Sequence, residues 1–331
     1  MQRKGWAATV ALAATLLTLT ACGGGSNKTE EIRVTEVVRS IFYAPQYVAL
    51  QQGYFKEQGL DVKLDTAWGG DKAMTRLLAG QAEVALIGAE TTVFVKQQGN
   101  SDTVISFAQA TQRDGTFLIS RNKIDHFNWS MTKGKSILGS RKGSMPEMVG
   151  EYVYQKQGLK PFQDVNIIQN VSFDNMATAF AAGTGDFYQA FEPEASTLEK
   201  AGKGTIVASL GKDSGKLPYT VYMTKSSYLK SHPEQMQKFT NAVQKGQDFV
   251  HKSTPEEIAN IIKPFFTDID EDILVRVVKR YQEVDAWPSD TIIDQTEFDL
   301  MKQIMKDAGE LKSDVPYAEL VNTEYAQKAK Q

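Results

Sequence analysis

The sequence has little of what most metal and catalytic sites are built from. Its 331 residues contain a single cysteine, Cys22, and only three histidines, which lie far apart. An internal disulfide and a cysteine-built zinc or iron–sulfur site are therefore excluded. The net charge is −3, and no block of Lys and Arg could follow a nucleic-acid backbone. We expect no metal, no cofactor and no nucleic-acid partner.

Long apolar runs are also scarce, and the one that exists lies at the N-terminus. Arg3 and Lys4 precede an apolar run over residues 7–19, which is too short for a comfortable membrane span of about 20 residues. The run ends in Leu-Thr-Ala immediately before Cys22. Residues 1–21 therefore predict a signal peptide, which resembles those of bacterial lipoproteins with the lipid attached to Cys22. The alternative is a plain signal peptide followed by a chance cysteine.

Residues 22–31 are rich in glycine and polar side chains. Such a segment cannot bury enough surface to fold, so it predicts a flexible tether. Signal, cysteine and tether together predict a protein held by lipid at the outer face of a bacterial cytoplasmic membrane. That location is the periplasm if the host has an outer membrane. The membrane is then a partner only through the lipid anchor.

From residue 32 onward, short β-rich segments alternate with amphipathic helical segments in two successive units. This order predicts an α/β fold with parallel sheets and helices on both faces. After residue 225 only helical stripes follow. Two β-rich segments border the second unit and predict strands that cross between two lobes. The predicted division is lobe 1 at 32–116 plus 224–331, lobe 2 at 121–218, and hinge strands at 116–120 and 219–223.

Local patterns predict where several helices begin. An apolar face over residues 44–57 predicts one continuous helix, stopped by a glycine. Three Ser/Thr-x-x-Glu sequences are typical of capping boxes and predict helix starts at Ser144, Ser231 and Thr254.

Two segments carry a recognisable pattern. Residues 42–62 read FYAPQYVALQQGYFKEQGLDV, and residues 77–85 read LLAGQAEVA. They resemble the opening of solute-binding proteins of ABC importers for aliphatic sulfonates, taurine, nitrate or bicarbonate, and thiamine pyrimidine precursors. Phe-Glu-Pro at 191–193 resembles a segment of the second lobe in that family. The resemblance implies a type II periplasmic-binding-protein fold with two doubly wound lobes. It also implies a monomer that closes on a small solute and docks on an ABC permease and its ATPase.

Ligands of open α/β sheets collect beyond the carboxyl ends of the strands, where helix N-termini present free amides. The loops expected there supply these candidate ligand-binding residues: Ser40, Phe42, Tyr43, Trp68, Gly69, Gly70, Gly88, Glu90, Thr91 and Gln109 in lobe 1, and Ser144, Asn170 and Glu192 in lobe 2. Simpler interpretations stay open. The three aromatic side chains could be packing residues, and Ser144, Glu90 and Glu192 could only cap helices.

Glu90 and Glu192 bear on the identity of the solute. Both are expected at strand ends that face the cleft, where buried carboxylates would repel a sulfonate or nitrate. Carboxylates suit a ligand with amino or ring N–H donors. With Phe42, Tyr43 and Trp68 as stacking surfaces, they favour an aromatic N-heterocycle such as a pyrimidine.

Two other classes of function compete with a transport protein. One eukaryotic branch of the same fold family makes the thiamine pyrimidine by consuming its own histidine and a pyridoxal cofactor, with cysteines near the site. This chain departs from that branch because it has no cysteine after residue 22 and carries an export signal. It also lacks GxSxG, HExxH, P-loop and GxGxxG sequences. We expect no enzymatic activity and no catalytic residue; a sensor or adhesin is the remaining alternative.

Overall fold

The computed structural model describes residues 29–172 and 175–331. The predicted signal peptide 1–21 and the predicted lipid attachment at Cys22 lie outside these residues. The last two residues of the predicted tether belong to the first strand, because their backbone pairs with the strand that begins at Leu60. Within the described ranges, no helix combines the length and the apolar character needed to cross a bilayer.

Two five-stranded sheets organise the described chain. In chain order the strands are β1 (Glu30–Glu36), β2 (Leu60–Thr66), β3 (Val84–Gly88), β4 (Val104–Thr111), β5 (Thr116–Ser120), β6 (Ser136–Leu138), β7 (Asn166–Ile168), β8 (Phe187–Phe191), β9 (Thr205–Ser209) and β10 (Thr220–Lys225). Sheet 1 has the order β2-β1-β3-β10-β4, and sheet 2 has the order β7-β6-β8-β5-β9. We call the parts of the molecule around these sheets lobe 1 and lobe 2.

Helices fill the intervals between strands and make up the C-terminal region. In chain order they are α1 (Ala44–Gln51), α2 (Tyr54–Glu57), α3 (Gly70–Leu78), α4 (Glu90–Gln97), α5 (Met145–Lys156), α6 (Met176–Ala181), α7 (Glu194–Lys200), α8 (Leu210–Ser214), α9 (Ser226–Ser231), α10 (Pro233–Lys252), α11 (Pro255–Ile262), α12 (Glu271–Glu283), α13 (Gln295–Asp307), α14 (Tyr317–Leu320) and α15 (Glu324–Ala329). Short 3₁₀ helices lie at Ile41–Tyr43, Trp129–Thr132 and Lys263–Phe265.

Each sheet is mixed, which corrects the expectation of purely parallel sheets. In sheet 1, β1 pairs in parallel with β2 and β3, whereas β10 is antiparallel to β3 and β4. In sheet 2, β6 pairs in parallel with β7 and β8, whereas β5 is antiparallel to β8 and β9. The antiparallel pairing follows from the direction in which the chain enters each sheet. A chain that arrives from the other lobe enters at the edge where the parallel strands end, so it runs against them.

The two lobes are connected by two stretches of chain between the sheets. The first is residues 112–115, between β4 and β5, and the second is residues 210–219, between β9 and β10. We call them the connecting segments. The segments predicted as hinge strands, 116–120 and 219–223, fall on β5 and on the start of β10, so most of their residues lie inside a sheet.

The C-terminal helices pack on both lobes. α10 packs on α1 of lobe 1, where Gly246 allows the crossing because an added Cβ would lie 2.2 Å from the backbone oxygen of Pro45. On the other side, α12 packs on α7 and α13 packs on α5. Both α7 and α5 belong to lobe 2. The hydroxyl of Tyr281 on α12 donates to the carbonyl of Gly115 in the first connecting segment at 3.3 Å. This helical region therefore supports the junction between the lobes.

Three local predictions need correction and one is confirmed. The helix expected over 44–57 is interrupted at Gly53, whose positive φ of 77° separates α1 from α2. Ser144 precedes α5, but its hydroxyl donates to the carbonyl of Arg141 and does not cap the helix. Ser231 forms the last residue of α9 and so cannot cap α10. Thr254 forms the predicted reciprocal capping box.

Candidate functional site

The carboxyl ends of the parallel strands in sheet 1 lie at the same edge as the first residue of β10, because Thr220 pairs with Gly88 and Thr111. In sheet 2 the first residue of β5, Thr116, pairs with Phe191 at the end of β8. The connecting segments join these two edges. The candidate site is therefore the region where the strand ends of both lobes and the connecting segments meet.

The loop after β1 enters this region through a short 3₁₀ helix. Ser40 caps it, because the Ser40 Oγ accepts the backbone N–H of Phe42 at 3.2 Å. The Phe42 ring is buried, with its centroid 4.9 Å from that of Tyr281 and 5.8 Å from that of Tyr219. Phe42 is therefore a packing residue of the junction, in line with the simpler of the two interpretations.

Tyr43 lies beside Phe42 and is also buried. Burial raises the pKa of its hydroxyl above the ordinary tyrosine value, and the hydroxyl interacts with the side chain of Thr220. Its phenol thus remains neutral and reaches the first residue of β10, at the edge of sheet 1.

The loop after β2 places its aromatic residue at the surface. Trp68 is 65% exposed and has a positive φ of 57°, so it is not part of the core. Gly69 follows with a φ of 151°, and Gly70 begins α3. An exposed indole at the end of a strand is free to contact a ligand at the rim of the site.

The loop after β3 leads to Glu90, whose carboxyl group is buried in lobe 1. Glu90 begins α4 and is only 7% exposed, and its Oε2 has no hydrogen-bond partner among the described residues. Its carboxylate folds back over Gly88, where an added Cβ would meet it at 2.2 Å. Thr91 next to it donates to the Gly88 carbonyl at 2.7 Å. Burial raises the pKa of Glu90 to about 7.

Gln109 lies near the end of β4 and is buried. Its Nε2 donates weakly to the carbonyl of Thr111 at 3.4 Å, and its Oε1 has no partner within the described chain under normal hydrogen-bond geometry. The side chain of Glu297 on α13 interacts with it and is itself half-buried. Gln109 thus connects the strand end to the C-terminal helices.

The three candidates of lobe 2 differ in what they contact. Ser144 bonds within its own turn, and Asn170 is exposed after β7. Glu192 is fully buried and satisfied: its oxygens accept the backbone N–H of Ser196 at 2.8 Å and the Ser196 hydroxyl at 2.9 Å, and it pairs with Arg280 of α12. Glu192 therefore caps α7 and joins the lobes, while one oxygen of Glu90 has no partner in the part of the chain that the structure describes.

Sequence reasoning missed two residues of this region, Asp114 and Tyr219. Each lies in one connecting segment and is buried, and the Asp114 carboxyl and the Tyr219 hydroxyl interact with each other. Burial raises the pKa of Asp114 to about 6. The available signal was position alone, because Asp114 lies two residues before one segment that predicted a crossing strand and Tyr219 begins the other.

The electrostatic balance of the site is negative. In the described part of the chain, neither Glu90 nor Asp114 forms an ion pair. The connecting segments carry three cationic side chains: Arg113 and Lys216 extend to Asp285, at 3.5 and 3.0 Å, and Lys212 is exposed at the surface. The strand ends thus present buried acceptor oxygens without a compensating cation, which suits a ligand that donates hydrogen bonds.

Two surface depressions lie away from this region. One, of about 540 Å³, is bounded by residues between Gln155 and Gln163 at the end of α5. The other, of about 450 Å³, lies between α9 and the last helices of the chain. Neither includes a residue of the strand ends. No group of three or more acidic, His or Cys side chains within 29–172 and 175–331 is placed to hold a metal ion.

Glu90→Gln is expected to change stability in a pH-dependent way. A buried carboxyl with a raised pKa stabilises the folded state below about pH 4.5 and loses that stabilisation as the pH rises toward 7. Glutamine does not titrate. The variant should therefore melt like wild type at pH 4.5 and about 2–4 °C higher at pH 8, by differential scanning calorimetry. Glu57→Gln, at an exposed ion pair with Lys245, is the control. An equal difference in melting temperature at both pH values would contradict the raised pKa of Glu90.

Arg280→Met is expected to lower the free energy of unfolding by about 3–5 kcal/mol, because Glu192 then stays buried without its cation. The double variant with Glu192→Gln should lose less than the sum of the single variants. Urea denaturation followed by circular dichroism measures all three. Lys279→Met, on the exposed side of α12, is the control with little effect. If the losses of unfolding free energy in the two single variants simply add, the Glu192–Arg280 pair does not join the lobes.

Comparisons with known proteins agree with this architecture. A protein of Bacillus subtilis (strain 168) named "Putative binding protein YtlA" is 47% identical over 313 residues, which cover 95% of this chain and 93% of that protein. The 4-amino-5-hydroxymethyl-2-methylpyrimidine phosphate synthase THI11 of Saccharomyces cerevisiae is 24% identical over 220 residues, or 63% of each chain.

Two solved structures have the same fold. The ligand-binding component of an ABC-type import system from Staphylococcus aureus, solved with zinc bound, has a TM-score of 0.74 at 16% identity and covers 91% of this chain and 99% of its own. The alkanesulfonate-binding protein SsuA of Xanthomonas axonopodis pv. citri, bound to MOPS, has a TM-score of 0.70 at 15% identity, with 88% and 98% covered. The fold is the two-lobed periplasmic-binding-protein fold, as the family resemblance implied.

More than half of the chain matches one family model. The family model described as NMT1/THI5 like matches residues 41–258, from the loop after β1 into α11. The match spans both lobes and both connecting segments, and the Bacillus relative matches nearly the whole chain. This chain belongs to the NMT1/THI5-like family.

Proposed function

We propose that the chain is an extracytoplasmic solute-binding lipoprotein that captures a small organic solute between its lobes and delivers it to an ABC importer. The observation that carries the proposal is that the strand ends of both lobes meet beside Glu90, a buried carboxyl group whose Oε2 has no hydrogen-bond partner among the described residues. Membership of the NMT1/THI5-like family and the likeness to a component of an import system support it.

Capture depends on the two connecting segments. With 112–115 and 210–219 as the links between the sheets, one lobe can rotate on the other without breaking either sheet. A solute first binds the strand ends of lobe 1 and is then covered by lobe 2. Burial on both sides supplies affinity, and the closed shape is the one that the permease selects. The protein acts as a monomer in this scheme.

Attachment to the membrane is proposed to take place at Cys22. The sole cysteine of the chain stands directly after the apolar run that ends at Ala21, where a lipoprotein signal is cleaved. Each buried CH₂ group of a lipid contributes roughly 0.8 kcal/mol, so several acyl chains hold the protein firmly at the surface. Diffusion to the permease is then confined to the plane of the membrane.

The solute is proposed to be an aromatic N-heterocycle, such as a thiamine pyrimidine precursor. Glu90 supplies a buried acceptor oxygen that has no partner within 29–172 and 175–331, which suits an amino or ring N–H donor and disfavours an anion. Tyr43 and the exposed Trp68 offer aromatic surfaces at the strand ends. Glu192 no longer supports this choice of solute, because Ser196 and Arg280 already satisfy it.

The similarity to the yeast synthase raises an enzyme as the second candidate. That branch of the family consumes its own histidine, and here the histidines are engaged elsewhere. His232 stacks on Tyr228 with ring centroids 4.1 Å apart, His251 lies 2.9 Å from the carbonyl of Pro288, and His126 is in the exposed loop after β5. These positions favour binding over synthesis.

Isothermal titration calorimetry tests the choice of solute. The purified protein is expected to bind 4-amino-5-hydroxymethyl-2-methylpyrimidine more tightly than taurine or nitrate, because only the pyrimidine combines a ring with N–H donors. Taurine and nitrate at the same concentrations serve as the matched comparison. Tight binding of taurine together with no heat from the pyrimidine would overturn the pyrimidine proposal.

Small-angle X-ray scattering tests the closure of the lobes. Saturating solute is expected to reduce the radius of gyration, because lobe 2 rotates toward lobe 1 about the connecting segments. The same protein without solute is the reference. An unchanged radius at saturation, with binding verified by calorimetry, would mean that the solute binds without closure.

A further inference from the structure

Two loops at one end of lobe 2 carry exposed apolar side chains. Among the described residues, three large apolar side chains are strongly exposed, and one of them, Trp68, lies at the rim of the candidate site. The other two are Met131, which is 41% exposed, and Phe162, which is 51% exposed. Met131 precedes β6 and Phe162 precedes β7, so both lie at the amino ends of the parallel strands. This is the edge of sheet 2 opposite to the one that faces lobe 1.

Hydrogen bonds join the two loops into one surface. The backbone N–H of Gly134 donates to the carbonyl of Asp164 at 2.6 Å. The N–H of Asn166 donates to the carbonyl of Lys135 at 2.9 Å. The two exposed apolar side chains are therefore carried by neighbouring loops that are bonded to each other.

The backbone of Phe162 is held in a conformation that a bulky residue rarely adopts. Its φ is 62°, in the left-handed region that favours glycine and asparagine. The turn is closed around it, because the N–H of Asp164 donates to the Lys160 carbonyl at 2.8 Å and the Lys160 N–H donates to the Asp164 carboxylate at 2.9 Å. A large ring kept half outside the protein in a costly conformation points to a contact beyond the chain.

The loops at this edge of sheet 2 are also positively charged, whereas the chain as a whole has a net charge of −3. We call the loops 121–135, 157–165, 182–186 and 201–204 the outer end of lobe 2. They contain six cationic and three acidic side chains, a net charge of +3. The corresponding loops of lobe 1, at 58–59, 79–83 and 98–103, contain two acidic side chains and no Lys or Arg. The positive charge thus belongs to one end of the molecule.

The acidic side chains of the outer end of lobe 2 already have partners. Asp125 and Asp164 pair with neighbouring lysines at 3.1 and 3.2 Å, and the third acid accepts a backbone N–H at the start of β6. By contrast, Lys135, Lys160 and Lys203 are exposed, and none of them forms an ion pair with a described residue. This end therefore presents three lysines without an acidic partner together with two apolar side chains.

Apolar side chains among cations match the surface of a bilayer that contains anionic lipids. Such a surface offers phosphates to lysines and an apolar boundary to aromatic and methionine side chains. An apolar protein surface would leave the lysines without partners, and a nucleic acid would leave Phe162 and Met131 in water. The proposed lipid at Cys22 also keeps the chain beside a membrane.

We propose that the outer end of lobe 2 contacts an anionic lipid surface, with Phe162 and Met131 in the headgroup region and the three lysines beside lipid phosphates. The inference rests on the proposed membrane location and not on the solute. The anchored N-terminal segment leads into β1 at the opposite end of the molecule, in lobe 1. A second contact in lobe 2 holds both lobes at the membrane and presents the region between them to the permease.

Co-sedimentation with vesicles tests this contact. Both sheets and every helix given above lie within 29–331, so the chain 23–331 keeps this fold without the predicted signal peptide and lipid. Vesicles of equal parts phosphatidylglycerol and phosphatidylcholine are expected to bind it about five- to ten-fold more tightly than vesicles of phosphatidylcholine alone. The difference should shrink several-fold in about 0.5 M NaCl, because salt screens exposed charges.

Two variants separate the charged and apolar parts of the contact. The double variant Lys135→Gln/Lys160→Gln should reduce binding of the anionic vesicles to about the level seen with phosphatidylcholine. Phe162→Asn should weaken binding about three- to ten-fold. It should also keep or raise the melting temperature, because asparagine tolerates the left-handed backbone.

The matched control is the double variant Lys252→Gln/Lys279→Gln. It makes the same change in net charge at exposed lysines of α10 and α12, outside the outer end of lobe 2. It should bind both kinds of vesicle like wild type. An equal loss of binding in the two double variants would show attraction without a preferred surface and would overturn the proposal.

The remaining outcomes separate this inference from the proposed function. Equal binding of both kinds of vesicle, or none, overturns a lipid surface as the occupant and leaves an acidic protein surface as the partner. Unchanged binding in Phe162→Asn overturns the entry of the ring into the headgroup region. The substituted residues lie outside the candidate site, so calorimetry should give the same pyrimidine affinity in every variant. Failure of wild type to bind the pyrimidine removes only the named solute and leaves the lipid contact standing.

Discussion

The structure depends on a chain that crosses twice between two sheets and ends each crossing in the middle of the sheet it enters. β5 inserts between β8 and β9, and β10 inserts between β3 and β4, both antiparallel to their neighbours. Neither lobe has a complete sheet without the strand that follows a crossing. The connecting segments are therefore anchored at both ends by sheet hydrogen bonds, and the lobe rotation proposed above is confined to residues 112–115 and 210–219.

This arrangement determines whether each buried carboxylate has a partner within the protein. Glu192 follows a strand of lobe 2 and meets Arg280 from the C-terminal helices, so it is satisfied within the protein. Glu90 and Asp114 lie at the same junction and meet no cation in the described chain. The carboxylates of the junction thus divide into structural contacts, Glu192 with Arg280 and Asp114 with Tyr219, and one candidate binding group, Glu90. The difference is whether another side chain of the protein reaches the carboxylate.

The C-terminal helices do more than extend lobe 1, because they also contact lobe 2 and the first connecting segment. α12 supplies Arg280 to lobe 2 and Tyr281 to the first connecting segment, while Trp287, in the loop that follows, donates from its indole to the carbonyl of Phe42. The aromatic rings of this junction pack tightly around Gly115, where an added Cβ would lie 2.9 Å from the Phe42 ring. The junction between the lobes is thus a packed aromatic cluster, and the carboxyl groups of Glu90 and Asp114 lie beside it.

Sequence periodicity alone determined the alternation of strands and helices, the helical C-terminal region and the loops at the strand ends, because these depend on contacts near in the chain. The capping box at Thr254 was predictable for the same reason. Tertiary structure decided the antiparallel insertion of β5 and β10, the pairing of Glu192 with Arg280 across 88 positions, and the burial of Asp114. A carboxylate in a sequence looks the same whether or not a cation lies beside it, and only the folded chain brings that cation close or keeps it away.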